Sequence, residues 1–326
     1  MAVPARVETV GRRPRPLLSG LRRALGPLRE ARGLARAMLW AGGAISAFFV
    51  AIALLAPVIS PYGFDQYRSD GQRFPQLAGP SADHPMGTTV QSTDVMARVV
   101  WGAQTELEVV AIALLLSLAV GVPLGLVSGY FGGALDRALV LLMDALFAFP
   151  YLLLAIVIAF LLSDTVGRGV FSAAIAITAV YVPQYFRVVR NHVISVREEP
   201  YVEAARALGA GPLTIISRYV FFNVVQNVPV IATLNAADAI LTLAALGFLG
   251  YGIQPTEAAE WGYDIQRAVS DAASGIWWTG LFPGLAIVLL VTGLTLLGEG
   301  LNETVNPVLR RRAYAKVEIE PTGRGR

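Results

Sequence analysis

Six long apolar runs, at residues 37–59, 109–127, 138–162, 170–186, 219–250 and 276–297, limit the fold more than any other feature of this sequence. Crossing a bilayer takes about 20 mostly apolar residues, and a spanning segment must satisfy its own backbone polar groups, which a helix does. The expectation is an all-α membrane protein with six transmembrane helices. The fourth run is short and is extended to about residue 189. The fifth is interrupted by Asn227, Pro229, Asn235 and Asp238, which predicts a bent or tilted span. Of the 326 residues only 15% are charged, against about 25% in soluble domains, and the deficit lies in these runs. The absence of cysteine excludes disulfides and thiolate metal sites. His84 and His192 are far apart and neither has a partner at metal-ligand spacing, so no metal or other cofactor is expected. Lys316, the single lysine, sits in Ala-Lys-Val rather than in a phosphate-binding Gly-Lys-Ser/Thr, so this chain cannot be its own P-loop ATPase.

Arginine placement orients the spans, because positive charge accumulates on the cytoplasmic side. Residues 1–36 form a basic tail with nine arginines, without the early apolar stretch and cleavage site of a secretory signal. Leu17, Leu21, Leu25 and Leu28 recur there at helical spacing, which fits either an amphipathic helix on an anionic membrane surface or a solvated tail. Arg187, Arg190, Arg197, Arg206 and Arg218 follow the fourth run, and Arg310, Arg311, Arg312 and Lys316 follow the sixth. Asp136 offsets Arg137 in the short second loop. Both termini are therefore expected inside, with residues 311–326 as a cytoplasmic tail. Two outer loops are long. Residues 60–108 are rich in Pro, Gly and Asp, with a helical stretch from Val95 to Glu108; residues 253–275 carry four acids against one arginine.

The inner loop 197–213 reads as a short helix. Pro200 suits a first helical turn, Glu198 and Glu199 precede it at the positive end of the helix dipole, and Gly209 ends it. Between Pro200 and Leu208, residues Tyr201, Ala204, Ala205 and Leu208 fall on one face. Such a helix is marginal alone in water. Two readings fit it: a knob for a groove on another protein, or a segment packed on the inner ends of this chain's own helices.

The run Glu203-Ala-Ala followed after three residues by Gly209 resembles the signature loop of binding-protein-dependent ABC importer permeases. His84-Pro-Met-Gly-Thr88, Asp94-Val-Met-Ala-Arg98 and Gly102-Ala are similar to the dipeptide/oligopeptide branch. So are Gly121-Val-Pro-Leu-Gly125, Gly129-Tyr-Phe-Gly-Gly133, Asp144 to Pro150, Phe248 to Pro255 and Trp261-Gly262. Phe282-Pro-Gly-Leu-Ala-Ile287, Leu297-Gly-Glu-Gly-Leu301 and Asn306-Pro307 extend the likeness over about residues 84–310, and the order matches the second ("C") permease of such systems. Three positions depart from the pattern. Phe222 stands where a proline is usual, Ser92-Thr93-Asp94 where Gly-Arg-Asp is usual, and Leu243 where a glutamate is common. The resemblance implies a type I ABC importer permease fold with its transmembrane core at 109–310. It implies that Tyr201, Glu203, Ala204, Ala205, Leu208 and Gly209 couple to the ATPase. The implied partners are a second permease, two ATPase subunits and an extracytoplasmic solute-binding protein, assembled in the bacterial inner membrane around peptides or similar solutes.

Two acids lie within the runs. Charge at membrane depth costs a few kcal/mol, so Asp144 and Asp238 are expected either on a translocation path or subunit interface, or as hydrogen-bonded structural acids. Trp277 and Trp278 are expected to anchor at the outer interface. A self-sufficient proton-coupled carrier using Asp144 or Asp238 is the alternative reading; it gives the 203–209 loop no role. A membrane scaffold would leave both acids unexplained.

Overall fold

A computed structural model describes residues 33–163, 165–167 and 169–305. The basic segment 1–32, Arg168, and the stretch holding Asn306-Pro307, Arg310–Arg312 and Lys316 lie outside the described residues. Helix α1 spans Gly33–Ile59, a two-residue hairpin (β1 Arg68–Ser69, β2 Gln72–Arg73) follows, and α2 spans Val95–Phe131. The stretch from Val95 to Glu108, expected as a loop helix, is the first part of this single 37-residue helix. Asp94 caps it by accepting from the Ala97 N–H at 2.7 Å.

The third run forms two helices, α3 (Gly133–Phe147) and α4 (Tyr151–Ser163), bent by 94° at a break before Pro150. Pro150 has no N–H to continue α3, which explains the stop. The next helix, α5, spans Val170–Val196 and outruns its apolar run by ten residues. Beyond the short α6 (Pro200–Ala207) and α7 (Pro212–Ile215), the chain passes a π turn at Ile216–Val220, one turn of α8 (Phe221–Val224) and a 3-10 turn. Helix α9 then spans Val228–Phe248. The irregular part of the fifth run thus falls before α9. It is made by a change of helical pitch with no proline at Phe222. Two helices complete the chain, α10 (Trp261–Ala273), which lies in the second long loop, and α11 (Trp278–Val305).

Five single helices are long and apolar enough to cross a membrane, and the bent pair makes a sixth crossing. Its crossing follows from register. Gly121 of α2 lies against Val182 and Tyr185 of α5, Gly125 against Phe186 and Val189, and Gly129 against Arg190 and Val193. Numbers rise together, so α2 and α5 run parallel, and α3 with α4 must carry the chain back from one end of the bundle to the other. A Cβ on Gly125 would sit 2.8 Å from the Phe186 carbonyl oxygen. That close approach of backbones is the packing available where lipid gives no hydrophobic drive. Helices α1 and α11 meet antiparallel, with Gly293 against Ile45 and Gly300 against Leu39.

At one end, loops 60–94 and 249–277 form a polar cap. His84 Nδ1 lies 2.8 Å from Asp94 Oδ2, and Arg98 Nε donates to Asp264 Oδ1 at 2.6 Å with both side chains buried. Trp278 packs on Gly87 and donates to the Thr88 carbonyl, so it pins a loop; Trp277 alone is the exposed aromatic expected of an interface anchor.

Candidate functional site

The opposite end carries the loop at 197–213. Helix α6 begins at Pro200, with extended backbone at Glu199, and Arg206 falls in its last turn, favourable to the helix dipole. Leu208 is the C-cap, and Gly209 adopts φ +83°, the left-handed conformation that favours glycine. The Ala210 N–H donates to the Ala205 carbonyl and the Gly209 N–H to the Arg206 carbonyl, both at 3.0 Å, forming a Schellman ending.

The apolar face divides differently from the expectation. Val202 and Ala205 are buried against this chain, while Tyr201, Glu203, Ala204 and Leu208 point outward, Leu208 being 89% exposed. Ala205 therefore belongs to the anchoring face and not to the surface a partner would meet. Val202 was the anchor that periodicity missed. The pair 202/205 has the same three-residue spacing as 201/204, and only the surrounding chain distinguishes them. One face of this helix is packed against its own chain and the other is bare.

A basic clamp sets this helix on the bundle. Arg197 Nη1 donates to the Gly129 carbonyl at 2.8 Å, at the end of α2. Arg190 grips Asp136 in two bonds of 2.6 and 2.8 Å, and Ser128 adds a third at 2.5 Å. Asp136 thus pairs with Arg190 of α5 through a bidentate geometry that favours arginine. The ends of α2, α3 and α5 are thus tied together at the point where the chain leaves α5 for α6.

Asp144 and Asp238 are both exposed on the isolated chain, so neither is a buried structural acid. Asp144 Oδ1 accepts from Arg187 Nη2 at 2.7 Å, and the guanidinium stands 4.0 Å over the Phe147 ring. Asp238 interrupts a buried stretch of α9 and Oδ2 accepts the Tyr181 hydroxyl at 2.7 Å. Leu243, at the position where a glutamate is common, is fully buried. Two fully buried acids elsewhere escaped the sequence reading. Glu260 caps α10 by accepting from the Gly262 and Tyr263 N–H groups at 2.6 and 2.7 Å, and it lies against Glu106 of α2, whose two oxygens receive no donor from the described residues. Two carboxyls facing each other in a dry interior cannot both stay ionised, so at least one of the pair is protonated. Burial pushes the Glu260 carboxyl up to about 8, with the nearby Asp264 charge adding to the shift. No spacing rule joins residues so far apart in sequence.

Comparison with known proteins bears on this arrangement directly. Residues 121–311 match the family model described as binding-protein-dependent transport system inner membrane component. The dipeptide transport system permease protein DppC of Alkalihalophilus pseudofirmus is 38% identical over 265 residues, covering 80% of this chain and 83% of that protein. The glutathione transport system permease protein GsiD of Pectobacterium atrosepticum is 33% identical, covering 83% of this chain and 87% of its own length. Among solved structures, a chain of the inward-facing MetNI methionine ABC transporter superposes with a TM-score of 0.53 at 19% identity, over 65% of this chain and 98% of that one; this likeness concerns the fold. The carrier and scaffold readings find no support among these relatives. The chain belongs to the family of binding-protein-dependent transport system inner membrane components, as a permease subunit of the ABC importer type.

Proposed function

We propose that this chain is one of two permeases lining the path of an ATP-driven peptide importer in a bacterial inner membrane, with both termini cytoplasmic. Its partners are a second permease, two ATPase subunits and an extracytoplasmic binding protein. The observation that carries the reading is the loop 200–212: a short helix tethered at Val202, Ala205 and Arg197, with Tyr201, Ala204 and Leu208 bare toward solvent. A bare apolar face on a rigid mount suits docking into a groove, and closure of the ATPases would then move α2, α3 and α5 through the Arg190–Asp136 and Arg197 contacts. The peptide substrate is supported by the names of the relatives, which include a di/tripeptide permease of Pseudomonas aeruginosa.

The test is copurification in mild detergent together with substrate-stimulated ATP hydrolysis. Leu208→Glu puts a charge at the C-terminal end of the bare face without disturbing the bundle. Loss of a buried anchor in a small interface costs about 2 kcal/mol, roughly thirtyfold in affinity. ATPase subunits should copurify with the unmodified chain and be lost or uncoupled with Leu208→Glu. Uptake that proceeds with no ATPase present would overturn the reading in favour of a carrier.

A further inference from the structure

A cavity of about 370 Å³ opens at the elbow between α3 and α4, where α5 and α9 face the break. Its size lies in the range of small-ligand pockets. Phe147, Phe149, Tyr151 and Tyr181 supply aromatic surface; Gln184 and Asp238 supply polar groups. Asp238 is the only formally charged side chain in the lining. The nearest base, Arg187, stacks on Phe147 but is committed to Asp144 at 2.7 Å.

The acid is under-bonded for its place. An ionised carboxylate has about four acceptor positions, yet the Tyr181 hydroxyl on Oδ2 is the only side-chain donor that reaches it among the described residues. Charge within a membrane span persists where it meets a cavity or a counter-ion. An acid framed by aromatic faces, with no arginine or lysine in the lining, attracts cations. From this we infer that the elbow cavity is a subsite for the protonated amino group of the transported solute, with Asp238 as the counter-charge and the Tyr181 hydroxyl fixing its orientation. The inference rests on the peptide-importer reading above and adds a place along the path where a free ammonium is recognised. An N-blocked peptide would forfeit that contact.

The chain has no cysteine, so a single thiol reports the cavity cleanly. In the assembled complex, Gln184→Cys is reacted with a trimethylammonium-ethyl and with a sulfonatoethyl methanethiosulfonate, each rate normalised to a free thiol in solution. An acid lining the same cavity should favour the cationic reagent by about tenfold. Adding Asp238→Asn should bring the ratio close to one, and Asp238→Glu should restore it. A dipeptide with a free amino group should slow the modification, and the same dipeptide N-acetylated should not. A thiol that neither reagent reaches, a ratio that Asp238→Asn leaves unchanged, or equal protection by both dipeptides overturns the subsite. Such a result in a complex that still hydrolyses ATP in response to substrate leaves the importer reading standing. Failure of the ATPases to copurify removes the importer reading, while the charge preference at Gln184→Cys still reports the cavity.

Discussion

Single residues decide how the loop at 197–213 is presented. At Gly209 no side chain would clash, since nothing lies within 4 Å of an added Cβ; the constraint is the φ of +83° itself. A left-handed conformation costs a non-glycine residue roughly 1–2 kcal/mol, and more for a β-branched one. Gly209→Val is expected to keep membrane insertion and lose substrate-stimulated ATP hydrolysis in the reconstituted complex. Ala205→Glu acts by another route than Leu208→Glu, because Ala205 is 5% exposed: it buries an unpaired charge and should release α6 from the bundle, visible as faster proteolysis at 197–213. Leu208→Glu should leave proteolysis unchanged. Asp144→Asn weakens a half-exposed ion pair, worth about 1 kcal/mol or less, and measurable ATP-driven uptake should persist; complete loss in a well-assembled complex would count against this account.

The buried pair Glu106–Glu260 sets a pH dependence. The native state holds the Glu260 proton up to about pH 8, whereas the unfolded chain releases it near the ordinary value of 4.5. The native state therefore binds more protons across that window. The stability this contributes is full below about pH 4.5 and falls as pH rises toward 8. Glu106→Gln replaces the facing carboxyl with an uncharged amide whose N–H can donate to Glu260. The apparent melting temperature of the complex should decline from pH 6 to 8.5 in the parent, and Glu106→Gln should flatten that decline by a few degrees. An identical slope in both would rule out coupling between the two carboxyls.

At the scale of elements, backbone approach and interruption matter more than apolar content. The α2–α5 contact depends on three glycines in register, whereas Gly43 on α1 has open space around it. Gly125→Ala should overpack the contact at a cost of about 1–3 kcal/mol, lowering both folded yield and melting temperature. Gly43→Ala is the matched control and should be neutral or slightly stabilising. The elbow between α3 and α4 creates the cavity that Asp238 faces, and Pro150 is the visible sequence cause of the break.

Over the whole molecule, the polar cap of loops 60–94 and 249–277 marks one end of the bundle and α6 the other. With arginine bias setting the direction, cysteines at Ser81 and Ser274 should react with an impermeant thiol reagent in intact cells, and one at Ser195 should not. All three positions are exposed, so labelling reads sidedness and not burial. Reaction at Ser195 would invert the topology.

The sequence by itself determined the helical class, the six crossings, the family likeness and the boundaries of the short helix α6. Those properties follow from local rules: apolar run length, proline at a first turn, and glycine where the backbone must turn left-handed. Tertiary structure decided the rest. Which of Ala205 and Leu208 is left bare depends on which flank of a two-turn helix is buried against the rest of the chain. The partner of Asp136 proved to be Arg190, 54 residues away, and not the adjacent Arg137. Glu106 meets Glu260 because α10, formed from a loop that reads merely as acidic, folds back onto α2 and α9. Pairings of this kind arise from the parallel and antiparallel registers of whole helices, and a periodicity read along one segment carries no information about the segment it will touch.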